Sequence, residues 1–240
     1  MKAVIIAAGM GSRLWEKTNH IPKTLMPYGN ETLLSTIIKN ISQMGINEFV
    51  IVIGYHAEYI TNYLHENKNF GFKISFVENT EWQKGNGISV LAAEKEVKNE
   101  NFILSMSDHI VSISALKRIA GNDSQKNLLL IDPKINKIFD IDDATKVDVR
   151  DNMIVNIGKE LQNYNGIDCG IFRLNNRFFE SMRQQLKLNK ESISASILGL
   201  IQNKDMEAVF MEAKDYWIDI DTPEAYHHAL NTLLNKNIDS

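Results

Sequence analysis

The chain has 240 residues, 44% of them hydrophobic and 23% charged, which suits one large globular domain with a substantial core. A net charge of −4 excludes a general nucleic-acid or anionic-membrane binder, because either needs a basic face; any polyanion must be met by a local cluster of cations. Cys169 is the single cysteine, which excludes an internal disulfide and predicts a buried thiol in a reducing, cytoplasmic setting, while the early apolar run Ala3–Ala8 is too short for a secretory core or a membrane span.

Ala3 to Ala8 is apolar on both faces and predicts a buried parallel strand that breaks into the glycine loop GMGSRL. Gly9 and Gly11 carry no Cβ, so the backbone there can turn sharply and bring its N–H groups near a phosphate, with Ser12 adding a hydroxyl. Arg13 and Lys23 add two cations, each worth about 4 kcal/mol against an anion at 4 Å near a protein surface. The loop lacks the third glycine of the dinucleotide fingerprint and the GK[ST] ending of a P-loop. By itself a G-x-G turn also fits an ordinary strand-to-loop connection.

Further along, Thr32 to Met44 carries Leu33, Leu34, Ile37, Ile38 and Ile41 at helical spacing and stops at Gly45. Phe49–Ile53 predicts a second strand, His56–Glu66 a helix and Lys73–Val77 a third strand. This alternation calls for an α/β fold, a doubly wound and mostly parallel sheet whose ligands sit beyond the carboxyl ends of the strands. Gly85 and Gly87 then flank Asn86 before a helix beginning near Ile88. A base edge lying against such a loop would be read by backbone groups and by the Asn86 and Ser89 side chains; an ordinary helix start would use the same residues.

Phe102–Met106 predicts a strand that runs into Ser107, Asp108 and His109. A carboxylate in that position suits Mg²⁺, which takes one or two carboxylates and completes its shell with phosphate and water, although Asp is also a common turn residue. His109 is assigned to packing or to support of its neighbours. Past the polar linker at Gly121 come a strand at Leu128–Ile131, an acidic turn and three short strands, Thr145–Val149, Met153–Ile157 and Ile167–Leu174, expected as a small antiparallel cover on the substrate side. By residue type alone Lys146 and Lys159 are strand-edge lysines. Helices are predicted over Asn175–Leu186 and Ser192–Ile201, then a strand over Tyr216–Ile220 that places Asp219 and Asp221 on one face. Those two carboxylates can complete a metal site with Asp108 or serve only the start of the last helix at Thr222 and Pro223; His227 and His228, on that helix, are expected at the surface.

AAGMGSRL followed ten residues after Arg13 by Pro22, Lys23, Leu25 and Pro27 resembles the signature of the sugar-phosphate nucleotidyltransferases. The likeness extends over four motifs in family order from Met1 to about Ala229, and implies one domain over 1–240 with a nucleotide half, about 1–120, and an acceptor half, about 121–240. It gives Ala8, Gly9, Gly11, Ser12, Arg13 and Lys23 to the triphosphate, Gly85, Asn86 and Ser89 to the base, and Asp108 with Asp219 or Asp221 to Mg²⁺. The glycine loop resembles that of cytidylyltransferases, and ATKV, IGKEL and IDCGIF together look most like the inositol-1-phosphate cytidylyltransferases. On that likeness Lys159, assisted by Lys146, meets the acceptor phosphate and Asp168 the acceptor hydroxyls, with Arg13, Lys23 and Lys159 the catalytic cations. The implied substrates are CTP and a small phosphorylated acceptor, best inositol 1-phosphate. Phosphocholine, 2-aminoethylphosphonate, a hexose 1-phosphate, another nucleotide such as UTP, or a binding module without turnover stay open. A choline acceptor would call for an aromatic cage, for which Trp82, Tyr164 and Trp217 are available. No nucleic acid or membrane partner is expected, and a homodimer stays open.

Overall fold

The computed structural model describes residues 1–11, 14 and 21–232. At its centre β1 (Lys2–Ile6) lies between β4 (Glu48–Ile53) and β6 (Phe102–Met106), parallel to both, and β5 (Lys73–Glu78) extends the parallel set beyond β4. Period-two alternation along these strands supplies two separate cores. Ala3 and Ile5 of β1 face one side with Phe49 and Ile51, while Val4 and Ile6 face the other with Val50 and Val52. Helices α1 (Leu33–Ser42), α2 (Ala57–Glu66), α4 (Ile113–Ala120) and α7 (Pro223–Thr232) cover the first face. The second is covered by α3 (Asn86–Ala92), α5 (Asn176–Leu186) and α6 (Ile193–Gln202), where the rings of Phe102 and Phe179 stack at 5.5 Å. The sheet is therefore doubly wound, as the alternation of elements predicts.

The antiparallel strands differ from the cover the sequence suggests. They continue the same sheet, so that nine strands of the described residues run in the order β5-β4-β1-β6-β11-β8-β12-β10-β9, with β8 (Asn127–Asp132), β9 (Lys146–Arg150), β10 (Met153–Gly158), β11 (Gly166–Leu174) and β12 (Met206–Phe210). The sheet is thus more mixed than mostly parallel. The reason is the polarity of β11, which runs against both β6 and β8 and so brings its amino-terminal end to the rim where β6 and β8 have their carboxyl ends. Among the elements with no counterpart in the sequence reading are α4, a short helix beside a polar linker; β12, which pairs with β8 and β10 far away in sequence; and β7 (His109–Val111). β7 pairs antiparallel with β13 (Trp217–Asp219) in a separate ribbon, its register setting His109 opposite Asp219. A second small ribbon, β2 (Pro27–Tyr28) with β3 (Glu31–Thr32), leads into α1.

Helix α1 begins at a reciprocal cap, in which Thr32 Oγ1 accepts from Ser35 N at 3.1 Å and Ser35 Oγ accepts from Thr32 N at 2.9 Å. This fixes the entry of the helix that packs Leu34, Ile38 and Ile41 beneath β1. Thr32→Ala is expected to lower unfolding free energy by about 1 kcal/mol in urea titration. Because one motif is shared, Thr32→Ala with Ser35→Ala should cost less than the two single losses added.

Candidate active site

Parallel registry decides where the first site loops leave the sheet. Ile6 is level with Met106 and Val52, so Ala7 to Gly11 emerge beside Ser107 and Asp108, and Asn79 follows the end of β5 at the same rim. Gly11 has φ +66°, and a Cβ there would lie 2.8 Å from Lys23 Cβ, so the loop turns directly against the lysine. Ala7 to Gly9, Gly11, Lys23, Met106, Ser107 and Asp108, with Trp82, Lys84, Asn86, Ser89 and Asp221, line a cavity of about 310 Å³. A second cavity of about 240 Å³ lies alongside, lined by Lys159 and Asp168 together with His109, Asp132, Phe139, Trp217 and Asp219. The two share Asn86, Met106 and Asp221 in their walls.

At the junction, Lys23 Nζ donates to Asp108 Oδ2 at 2.6 Å and to Asp221 Oδ1. Burial alone would lower the Lys23 pKa, but Asp108 and Asp221 outweigh it and hold the ammonium above its usual range. Burial would likewise raise the pKa of Asp108, yet Lys23 and His109 keep its carboxyl well below the ordinary carboxylate range. His109 Nδ1 lies 2.7 Å from Asp108 Oδ1 and 3.7 Å from Asp219 Oδ1, and its ring stacks on Trp217 at 5.8 Å. Burial would depress this imidazole; Asp219 and Asp108 instead raise it to about 9, so it is a cation at neutral pH. Asp219 is pushed up to about 6 by burial against the pull of His109, and its Oδ1 is buried without a hydrogen-bond donor among the described residues.

That orphaned oxygen makes Asp219 the better-fitted partner of Asp108 for a cation. One ligand atom each from Asp108, His109 and Asp219 lies within 4.8 Å of the others. A hard ion such as Mg²⁺ would take the two carboxylates, with His109 orienting them, since oxygen is its preferred donor. Asp221, the alternative second ligand in the sequence reading, is paired with Lys23.

The other sequence-predicted residues fall into place unevenly. Ser12 and Arg13 lie outside the described residues. Ala8, Gly9, Gly11 and Lys23 line the first cavity, as do Asn86 and Ser89. The glycine loop is held from outside: Gly85 N donates to Glu191 Oε2 at 3.1 Å, Gly87 N to Glu191 O at 3.0 Å, and Asn86 Oδ1 accepts from Ile193 N at 2.9 Å. Lys159 lines the second cavity and pairs with Asp143 at 2.5 Å. Lys146, expected to assist it at the acceptor phosphate, is not among the residues lining that cavity; its ammonium is spent on the carbonyls of Lys159 at 2.9 Å and Asp142 at 3.3 Å, and so braces the strand end that carries Lys159. Asp168 lines the cavity, its Oδ1 accepting from Gly170 N at 2.7 Å. Gly170 has φ +72°, and a Cβ there would meet His109 Nε2 at 2.8 Å, which is the physical content of the D-x-G motif.

Three features of the second cavity escaped the sequence reading. Asp132 closes β8 and accepts from Trp217 Nε1 at 3.0 Å; a carboxylate ending an apolar run is the same signal that marked Asp108. His228 is exposed, as expected, yet it lines the cavity, where Phe139 stacks on it at 4.9 Å. The acidic turn around Asp140 and Asp143 forms a wall of the site instead of a bare connection.

A mixed sheet with a phosphate-type loop, a lysine and paired carboxylates at one rim defines a nucleotide-handling transferase. The sequence profile described as Nucleotidyl transferase matches residues 2–135, and the chain belongs to that family. It is 31% identical to the bifunctional IPC transferase and DIPP synthase of Archaeoglobus fulgidus over 98% of this chain and 44% of that protein, and 31% identical to the protein of the same description from Aquifex aeolicus over 98% of this chain and 52% of that one. The chain thus spans about half the length of these relatives. It is also 30% identical to the D-glycero-alpha-D-manno-heptose 1-phosphate guanylyltransferase of Campylobacter jejuni, over 96% of this chain and 99% of the other. Among solved structures, the inositol-1-phosphate CTP transferase from T. maritima superposes with a TM-score of 0.86 at 25% identity, covering 99% of this chain and 94% of that one. Among the described residues no helix is long and apolar enough to cross a membrane.

Asp168 gives a test of the cavity's electrostatics. Burial pushes its carboxyl up to about 6, against the Gly170 amide and His109, which favour the charge. An unfolded carboxyl titrates near 3.9, so the folded chain binds the extra proton between about pH 4 and pH 6, and stability falls as pH rises through that window. Asp168→Asn keeps an acceptor for Gly170 N; it should raise the unfolding free energy by on the order of 2 kcal/mol at about pH 7.5 and leave it nearly unchanged at about pH 4, measured by denaturant titration at both values.

Proposed function

We propose that this chain transfers CMP from CTP to the phosphate of a small polyol phosphate, inositol 1-phosphate being the first candidate, and releases pyrophosphate. The observation that carries the reading is the junction of two cavities at Lys23, Asp108 and Asp221, one cavity walled by the glycine loop and the other by Lys159 and carboxylates. A carboxylate-lined pocket accepts hydrogen bonds from hydroxyls, which favours a polyol over an apolar acceptor. The choice of CTP and of inositol 1-phosphate is supported by the 25% identical T. maritima transferase, whose description names both.

In this reading an oxygen of the acceptor phosphate attacks the α-phosphorus of CTP in line; the new P–O bond forms as the bond to the β-phosphate oxygen breaks, and pyrophosphate carries away the electron pair. No general base is required, because the attacking oxygen is already anionic. The barrier is the approach of two polyanions, so the protein's task is positioning and charge neutralisation. Lys23 exchanges its carboxylate partners for phosphate oxygens, Gly9 and Gly11 offer backbone amides, and Arg13 adds a guanidinium. Lys159, braced by Lys146, holds the acceptor phosphate, and Asp168 receives acceptor hydroxyls. Asp108 and Asp219 would hold Mg²⁺, which when bound supplies charge neutralisation at the phosphates. The single cysteine, Cys169, is fully buried, which fits a reducing cytoplasmic setting.

Pyrophosphate release with CTP, Mg²⁺ and inositol 1-phosphate should exceed release with phosphocholine, 2-aminoethylphosphonate or glucose 1-phosphate; release with none of them would favour a binding module. Lys23→Ala should lower kcat by roughly 10²- to 10³-fold with the fold intact by circular dichroism, the usual loss when a group stabilising transition-state charge is removed. Lys159→Ala is expected to raise the KM for the acceptor by about tenfold or more while the KM for CTP stays within about twofold. An equal rise in both KM values would take Lys159 out of the acceptor site.

A further inference from the structure

One wall of the nucleotide-side cavity has a hydrogen-bond polarity that the backbone dictates. Glu81 N–H can only donate, and it donates to Asn79 Oδ1 at 2.9 Å. The amide orientation is thereby fixed, and Asn79 Nδ2 is the atom that faces Ser89, donating to its Oγ at 2.9 Å. Asn79 is 4% exposed and Ser89 7%, so both groups are shielded from bulk water. Ser89 lines the cavity on the first turn of α3, and no group among the described residues accepts its hydroxyl proton. With no acceptor among the described residues, that buried hydroxyl hydrogen is open to what enters the cavity.

Several neighbouring polar groups are already committed. Asn86 Oδ1 is taken by Ile193 N, and the Gly85 and Gly87 amides by Glu191, so the glycine loop itself offers a ligand fewer hydrogen bonds than its sequence suggests. Ser89 Oγ keeps its proton and one lone pair, and with no acceptor for that proton among the described residues a ligand atom that accepts it is favoured over one that donates.

We propose that Asn79 and Ser89 form a base-selecting pair, in which Asn79 is a positioning residue that commits the Ser89 hydroxyl to donate, and Ser89 donates to the ring N3 of cytosine. This deepens the cytidylyltransferase reading and rests on it. N3 is the atom at which the two pyrimidines have opposite sense, a lone pair in cytosine and an N–H in uracil. Cytosine therefore satisfies the hydroxyl proton, whereas uracil sets N–H against it and leaves that proton orphaned in a buried place. Selection against UTP then comes from two side chains, of which only one touches the base.

Calorimetric titration of CTP and UTP in the presence of Mg²⁺ tests this without an acceptor. The native chain should bind CTP more tightly than UTP. Ser89→Ala should weaken CTP by roughly tenfold or more, UTP by less, and so erase most of the preference. In Asn79→Asp the carboxylate accepts the Ser89 proton and turns the oxygen's lone pairs to the base, which should move the CTP-to-UTP affinity ratio toward UTP by roughly ten- to a hundredfold. A merely structural role for Asn79 would weaken both nucleotides alike and leave the ratio where it was. Circular dichroism checks that each variant folds, and if Asn79→Asp does not, Ser89→Ala decides. A native preference for CTP that Ser89→Ala leaves within about twofold, or that Asn79→Asp strengthens, overturns the pair while sparing the cytidylyl reading. A native chain with no preference for CTP over UTP overturns both.

Discussion

The ammonium of Lys23 bridges the carboxylates of Asp108 and Asp221, and the architecture of the site depends on that bridge. The three groups come from the loop after β1, the loop after β6 and the segment after β13, so the contact joins the beginning, middle and end of the chain. Brought together without the lysine, carboxylates would repel one another at an effective cost of about 4 kcal/mol for a pair at 4 Å. The cation therefore does in the resting protein what a bound metal would do in the proposed reaction, which is to make a concentration of negative charge tolerable. Such a cluster is stable while its partners are present and reactive to any polyanion that competes for them.

Sheet polarity is what makes the cluster reachable from two sides. The parallel strands β1, β4 and β6 release their carboxyl ends at one rim and build the nucleotide-side cavity there. Because β11 is antiparallel, it delivers Asp168 to the same rim from its opposite end, next to Asp132 at the end of β8. The β7–β13 ribbon lines the second cavity and contributes His109 and Asp219 face to face. A chain of contacts from Asp132 through Trp217 to His109 ties the second cavity to the charged junction. The proposed acceptor site and the proposed metal site are thus supported by the same few side chains.

The elements whose signals are local were legible in the sequence. Ala3–Ala8, Phe49–Ile53 and Phe102–Met106 are apolar on both faces because they are buried on both, and their spacing with helices announces a doubly wound sheet. Strand β12 and the ribbon strand β7 were not, since each takes its place from a partner far along the chain, and β7 has only three residues. The same division holds in the site. Lys23 and Asp108 were recognisable from the residues beside them, whereas Lys146, expected to assist Lys159 at a phosphate, has its ammonium on backbone carbonyls that no local pattern announces. His228 seemed only a surface residue until Phe139, nearly ninety positions earlier, was found against it.

What the sequence determined by itself is the class of fold, the family signature and the inventory of charges, because strand periodicity, glycine loops and residue chemistry are properties of neighbouring residues. Tertiary structure alone decided how those charges are partnered: that Asp221 meets Lys23 while Asp219 Oδ1 is buried without a hydrogen bond among the described residues, 3.7 Å from the His109 ring, and that Asn79 Nδ2 donates to the Ser89 hydroxyl. The physical reason is range. A hydrogen bond or an ion pair is set by distances of a few ångströms between groups that the chain separates by ten to two hundred residues, and only the registry of the sheet determines which of them meet.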